Sequence, residues 1–126
     1  MSLSSNDFGR ASNGGLLLSY MAGPLDSQRV IDEAAVLADS EGLDSVTLTR
    51  VAERLGVRQP ALYRHVDNYD ALIRALGLRG REILASRLGE AAVGLAGDDA
   101  VRAMGGAWRA VVAEHPGLYA ATDRYP

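Results

Sequence analysis

The stretch from Thr47 to His65 constrains the fold of this chain more than any other part of its sequence. It reads as two short helices joined by a tight turn at Gly56, the pattern of a helix-turn-helix. Thr47 is suited to cap the first of these helices, and Pro60 fits the first turn of the other, where its missing N–H costs nothing. Apolar residues on the inner face of the first helix would pack against Leu62 and brace the second from behind.

Helical spacing of apolar residues continues on both sides of this motif, and no segment shows the alternation of a β-strand. The fold class is therefore predicted as all-α. The first predicted helix is capped by Asp26 or Ser27 and followed by Gly42, the second runs from Leu48 to Leu55, and the third opens at Gln59-Pro60 and ends before Asp67-Asn68. A fourth helix is predicted from Tyr69 to Arg87, followed by a loop over residues 89–97. Asp98 or Asp99 is expected to cap a fifth helix that ends at Glu114, and a sixth starts near residue 118.

Three regions follow from this division. Residues 1–24 are rich in Ser, Gly and Asn without sustained periodicity, so we expect a flexible N-terminal arm. Residues 25–70 form a three-helix domain that contains the helix-turn-helix, and residues 71–126 hold a linker helix and the start of a second helical domain. Gly77 and Gly80 lie inside the linker helix, where they would permit close helix packing or a bend.

Composition narrows the function classes. The chain has no Cys, which excludes disulfides, thiolate nucleophiles and zinc fingers. We expect neither a metal nor a cofactor. The longest apolar run is far too short to span a bilayer and the start lacks the features of a secretory signal, so a soluble cytoplasmic protein is expected. No nucleophile–base pair stands out at useful spacing, so an enzyme is not expected.

Positive charge is concentrated in the helix-turn-helix. The whole chain has a formal net charge of −3, so a nucleic-acid partner would have to meet a local patch. Residues 47–65 contain four arginines and one glutamate, which gives this segment a local net charge of +3. Every basic residue of the chain is Arg, whose planar fork suits phosphate and guanine edges. A GC-rich genome is the alternative explanation of that bias.

The same region resembles the signature of the TetR family of repressors. The resemblance is strong from Asp26 to Leu76 and weaker from Trp108 to Leu118. The residues that carry it are Ala52-Glu53-Arg54-Leu55-Gly56-Val57, Leu62-Tyr63-Arg64-His65-Val66, Asn68 and Asp70-Ala71-Leu72, with Gln59-Pro60-Ala61-Leu62-Tyr63 similar to the recognition helix.

This resemblance implies a transcriptional regulator with an N-terminal DNA-binding domain and a helical regulatory domain that begins near Asp98. It also implies a homodimer on a palindromic operator of double-stranded DNA, with half-sites one helical turn (~34–36 Å) apart. A small-molecule inducer would bind the regulatory domain and shift the fourth helix, so that the two recognition helices no longer align. Members of the family are longer than this chain, so the regulatory domain is expected to be truncated here.

The resemblance also assigns contacts by position. Gln59, Pro60 and Ala61 fall where family members meet base edges, since Gln can pair with adenine while Pro and Ala can pack on a thymine methyl. Arg58 and Arg64 would reach guanine or phosphate. Contacts to the DNA backbone, which fix register without reading sequence, are expected from Thr47, Thr49, Arg50, Tyr63, His65 and Tyr69, the last standing where the family usually has Lys.

Several residues leave two interpretations open. Tyr63 is a phosphate contact or a core aromatic residue with its hydroxyl at the surface, and His65 is a DNA contact or a structural histidine. Met104 and Trp108 belong to the core or line a ligand pocket. Glu114-His115 could suggest a metal site, but the only other histidine is distant in sequence. For the whole chain, the main alternative is a module that uses the same helices to bind another protein.

Overall fold

The computed structural model describes residues 24–125, which form six α-helices without a β-strand. The all-α class is confirmed, whereas the predicted arm at residues 1–24 lies almost wholly outside the described residues. None of the helices described is long and apolar enough to cross a lipid bilayer. The helices are α1 (Ser27–Glu41), α2 (Leu48–Leu55), α3 (Gln59–Leu62), α4 (Tyr69–Ala92), α5 (Gly97–Glu114) and α6 (Pro116–Arg124), with a 3₁₀ turn at Leu43–Ser45 between α1 and α2.

Side-chain caps fix where three of these helices begin. Asp26 accepts a hydrogen bond from the backbone N–H of Arg29 at 2.8 Å, and Thr47 accepts one from Arg50 at 3.0 Å. Asn68 caps α4 in the same way. Each cap satisfies an N–H that has no partner within its own helix, and is worth about 1 kcal/mol. The predicted starts of α1, α2 and α4 are therefore confirmed.

Four boundaries differ from the prediction. The fourth helix continues through Gly89 to Ala92. Gly94, and not Gly89, has the left-handed backbone (φ 75°) that commonly follows the end of a helix. The predicted loop over residues 89–97 therefore shrinks to residues 93–96. The N-cap of α5 is Ala96, so the predicted cap at Asp98 or Asp99 is wrong, and both aspartates lie in the first turn of the helix. The sixth helix starts at Pro116, since proline fits a first helical turn as well as it ends a preceding helix. Regular helix in α3 covers only four residues, and a turn continues it to His65.

The core unites α1 to α4 with α6. The face of α1 formed by Val30, Ala34, Leu37 and Ala38 is fully buried, and the inner faces of α2, α3 and α4 meet it. Leu118 and Ala121 of α6 belong to the same cluster. Its fully buried large side chains are Val30, Leu37, Val46, Val51, Leu62, Leu72, Ile73, Leu76 and Leu118.

Glycines allow α6 to approach its neighbours closely. A Cβ atom at Gly77 or Gly80 of α4 would lie 2.9 or 2.8 Å from a carbonyl oxygen of α6. A Cβ atom at Gly117 would overlap the carbonyl group of Ala38 in α1. Close packing, the first of the two roles predicted for Gly77 and Gly80, is therefore confirmed.

Asp39 adds a polar connection between α1 and α6. Its Oδ1 accepts hydrogen bonds from the backbone N–H groups of Gly117 and Leu118, both at 3.0 Å. Its Oδ2 lies 2.6 Å from Nδ1 of His115. A carboxylate at a helix N-terminus satisfies orphan N–H groups and interacts favourably with the helix dipole. Asp39 therefore caps α6 from another helix.

Candidate nucleic-acid interface

The helix-turn-helix forms as the sequence predicts. Gly56 adopts the left-handed conformation (φ 71°) and ends α2, after which the chain turns into α3. The inner face of α2 is buried against Leu62, which is the buried residue of α3. The hydroxyl of Ser27 donates a hydrogen bond of 2.9 Å to the carbonyl oxygen of His65, so the start of α1 holds the end of the motif.

The outer face of α3 is open to solvent. Pro60 is exposed, Gln59 and Ala61 are half-buried, and the Tyr63 side chain is 49% exposed. The interpretation of Tyr63 as a core aromatic residue is therefore wrong. Because α2 covers the back of α3, this outer face is the part of the motif that a groove of DNA could receive.

A chain of hydrogen bonds crosses this face. The hydroxyl of Thr49 in α2 donates to Oε1 of Gln59 at 3.0 Å. Nε2 of Gln59 in turn donates to the Tyr63 hydroxyl oxygen at 3.5 Å. The spacing of Gln59 and Tyr63, one helical turn apart, was visible in the sequence. The contact from Thr49 depends on how α2 and α3 are placed and was not.

Two of the four arginines of the motif have acidic partners. Nη2 of Arg50 lies 3.1 Å from Oε1 of Glu41, and Nε of Arg54 lies 2.5 Å from Oε2 of Glu33. Both glutamates belong to α1, outside the window in which charge was counted. The local balance of +3 therefore overstates the free positive charge, although exposed ion pairs are weak enough to exchange for a phosphate.

The remaining positive charge lies at the two ends of α3. Arg58 and Arg64 are exposed, and no carboxylate of residues 24–125 lies within ion-pairing distance of either. Arg58 is also the N-cap residue of α3 and makes no side-chain capping bond. Because no carboxylate of residues 24–125 pairs with it, the Arg58 guanidinium is available to a ligand near the start of α3.

Three further predicted backbone contacts surround this face. Thr47 is exposed, and its hydroxyl oxygen accepts the capping bond while its proton remains available to donate. His65 is half-buried, and its role as a DNA contact stays a prediction. Tyr69 begins α4 and is half-buried, with part of its side chain packed on the core.

Comparison with known proteins decides the family. The model of bacterial regulatory proteins of the tetR family matches residues 30–76, from α1 into α4. The HTH-type transcriptional regulator Rv0681 of Mycobacterium tuberculosis is 38% identical over 102 residues, which cover 81% of this chain and 47% of that protein. The tetracycline repressor protein class D of Escherichia coli is 44% identical over 61 residues, covering 48% of this chain and 27% of the repressor.

The chain belongs to the tetR family. A further relative, the HTH-type transcriptional regulator YobS of Bacillus subtilis, is 31% identical over 97 residues, or 77% of this chain and 51% of YobS. This TetR-family chain thus spans about half the length of the first relatives that it matches. The names of these relatives describe regulators and repressors, not enzymes.

The other candidate site of this TetR-family chain lies on α5. Met104 and Trp108 are 36% and 43% exposed, so their interpretation as core residues is wrong. Together with Leu88 of α4 they line an apolar groove of about 360 Å³. The Trp108 ring packs edge-to-face on Tyr119 of α6, with ring centroids 6.2 Å apart. That Met104 and Trp108 line a ligand pocket stays a prediction.

Glu114 and His115 each have an acidic or basic partner on another helix. Glu114 forms an ion pair with Arg87 of α4, and Nδ1 of His115 lies within hydrogen-bonding distance of Asp39 in α1. Within residues 24–125, no group of three ligating side chains is arranged to hold a metal ion. The structure therefore gives these two residues a role in holding α5 and α6 in place.

Proposed function

We propose that this TetR-family chain acts as a transcriptional repressor that inserts α3 into the major groove of a double-stranded DNA operator. The observation that carries the proposal is the outer face of α3, which is exposed in front, braced by α2 behind, and flanked by Arg58 and Arg64. The major groove is wide enough for one α-helix. The tetR-family match covers this motif entirely.

Base edges would be read from the start of α3. Gln59 can offer a hydrogen-bond donor and an acceptor to adenine, and the apolar surfaces of Pro60 and Ala61 suit a thymine methyl. Arg58 and Arg64 extend from the two ends of the helix toward guanine or phosphate. An exposed face with these groups can distinguish base pairs, whereas a purely basic face would bind every sequence alike.

Phosphates on either side would hold the motif in register. Thr47 and Tyr63 retain a hydroxyl proton to donate, and Arg50 can exchange Glu41 for a phosphate. His65 and Tyr69 extend this contact line past the end of α3. These contacts would supply affinity without sequence preference.

Regulation would pass along α4. This helix starts at Tyr69, directly after the DNA-binding motif, and contributes Leu88 to the groove near Met104 and Trp108. The two positions are about 28 Å apart along a straight helix. A small-molecule inducer in that groove could therefore displace α4. The regulator would act as a homodimer in the bacterial cytoplasm. Turning a 1:99 equilibrium into 99:1 requires a preference of about 10⁴-fold for the non-binding state.

Selection of bound duplexes from a random DNA pool at fixed salt tests the proposal. We expect a palindromic sequence to be enriched, with half-site centres one helical turn (~34–36 Å) apart. Enrichment of a single half-site would support DNA binding and contradict the dimer. A folded chain that enriches no sequence, and whose weak binding does not change with salt, would overturn the proposed function.

A further inference from the structure

The hydrogen bonds of Gln59 support an inference that rests on the proposed function and deepens it. We propose that Thr49 is a positioning residue, which holds the Gln59 amide against Tyr63 and thereby sets the specificity of the operator site. Thr49 itself would contact neither base nor phosphate. This role replaces the backbone contact that the family resemblance implies for Thr49.

Thr49 is the donor in its hydrogen bond to Gln59. Its hydroxyl oxygen lies 3.0 Å from Oε1 of Gln59. A carboxamide oxygen has no proton to give, so the shared proton comes from Thr49. A hydroxyl has one proton and a phosphate only accepts hydrogen bonds. Thr49 can therefore not donate to a phosphate while it holds Gln59.

Gln59 keeps one hydrogen-bond donor and one acceptor after its bonds to Thr49 and Tyr63. A glutamine amide has two acceptor lone pairs and two N–H donors. Thr49 takes one lone pair and the Tyr63 oxygen takes one N–H, so one acceptor and one donor remain. One donor beside one acceptor complements the N7 and N6 edge of adenine.

The two hydroxyls that hold the Gln59 amide belong to different structural elements. Thr49 belongs to the first turn of α2, and Tyr63 follows the end of α3, so the amide is held from two different elements. A free glutamine on an exposed helix samples many rotamers and loses that freedom when it binds a base. Gln59 held in advance loses less, and the gain applies only to the base pair that it reads.

A double-mutant cycle on the selected duplex tests this role. Affinities are measured for the unmodified chain, Thr49→Val, Gln59→Ala and the double variant, on duplexes that change one base pair of a half-site at a time. Thr49→Val keeps the shape of the side chain and removes its hydroxyl. We expect it to lower discrimination roughly fivefold to tenfold at the one base pair where Gln59→Ala also does so. Affinity for a nonspecific duplex should not change.

Two further results define the outcome. The double variant should match Gln59→Ala alone, and Thr49→Ser, which restores the hydroxyl, should restore discrimination. Equal losses on every duplex, additive with Gln59→Ala, would show that Thr49 contacts the DNA backbone and would overturn the proposal. An unchanged Thr49→Val variant would overturn it as well. Failure of the unmodified chain to select any duplex would instead refute the proposed function.

Discussion

The packing of α6 against α4 leads to a prediction about one glycine. A Cβ atom added at Gly80 would lie 2.8 Å from the carbonyl oxygen and 3.2 Å from the carbonyl carbon of Leu118. These are backbone atoms, so no side-chain rotation can relieve the overlap. The two helices would have to separate, and over-packing of this kind costs about 1–3 kcal/mol.

The same substitution also has a favourable effect. Alanine stabilises the interior of a helix by about 1 kcal/mol relative to glycine. For Gly80→Ala the two effects oppose each other, and we expect a net loss of up to about 2 kcal/mol in the free energy of unfolding. Gly106 in the middle of α5 has no atom within 4 Å of an added Cβ, so Gly106→Ala should show the gain alone.

Urea unfolding followed by circular dichroism at 222 nm (~20 µM chain) measures both variants against the unmodified chain. The pair should change the free energy of unfolding in opposite directions, with equal m-values. If Gly80→Ala were as stabilising as Gly106→Ala, α6 would not lie against α4 as the structure has it. Close packing of α6 on α4 at Gly80 would then be refuted.

Three further predictions concern capping and charge. Asp39→Ala should lower the free energy of unfolding in urea by about 2 kcal/mol, because two backbone N–H groups of α6 lose their acceptor, whereas the exposed Asp44→Ala should leave it unchanged. Thr47→Ala should lower it by about 1 kcal/mol in the same assay through loss of the α2 cap, and an unchanged value would contradict the capping role. Arg58→Ala should reduce the slope of log affinity against log salt by about one unit, and Arg54→Ala, whose guanidinium already pairs with Glu33, should reduce it less; equal slopes would contradict the assignment of free charge.

Local signals in the sequence predicted most of the fold. Thr47, Gly56 and Pro60 each act within a few residues of their own position, as a cap, a left-handed turn and a first-turn proline. Such signals do not depend on tertiary structure, so they located α2 and the start of α3 correctly. The end of α4 was missed because Gly89 and Gly94 look alike in sequence, and only the backbone shows which of them turns.

Contacts between distant elements could not be predicted in this way. The cap that Asp39 provides joins residues 78 and 79 positions apart, and nothing near Asp39 in sequence indicates it. Likewise, the glutamates that pair with Arg50 and Arg54 lie on α1. The base-reading face was found from residue types and the family resemblance, whereas the bond from Thr49 to Gln59 required the relative placement of two helices.

The exposed face of α3 is the central claim, and Ala61→Glu tests it most directly. Ala61 is half-buried on that face, and a glutamate there would add bulk and negative charge where the DNA is expected to lie. Ala113→Glu, on the exposed side of α5, is the matched control. In fluorescence anisotropy with the selected duplex, Ala61→Glu should lower affinity by roughly 100-fold or more while Ala113→Glu binds normally. Equal affinities for the two folded variants would contradict the account.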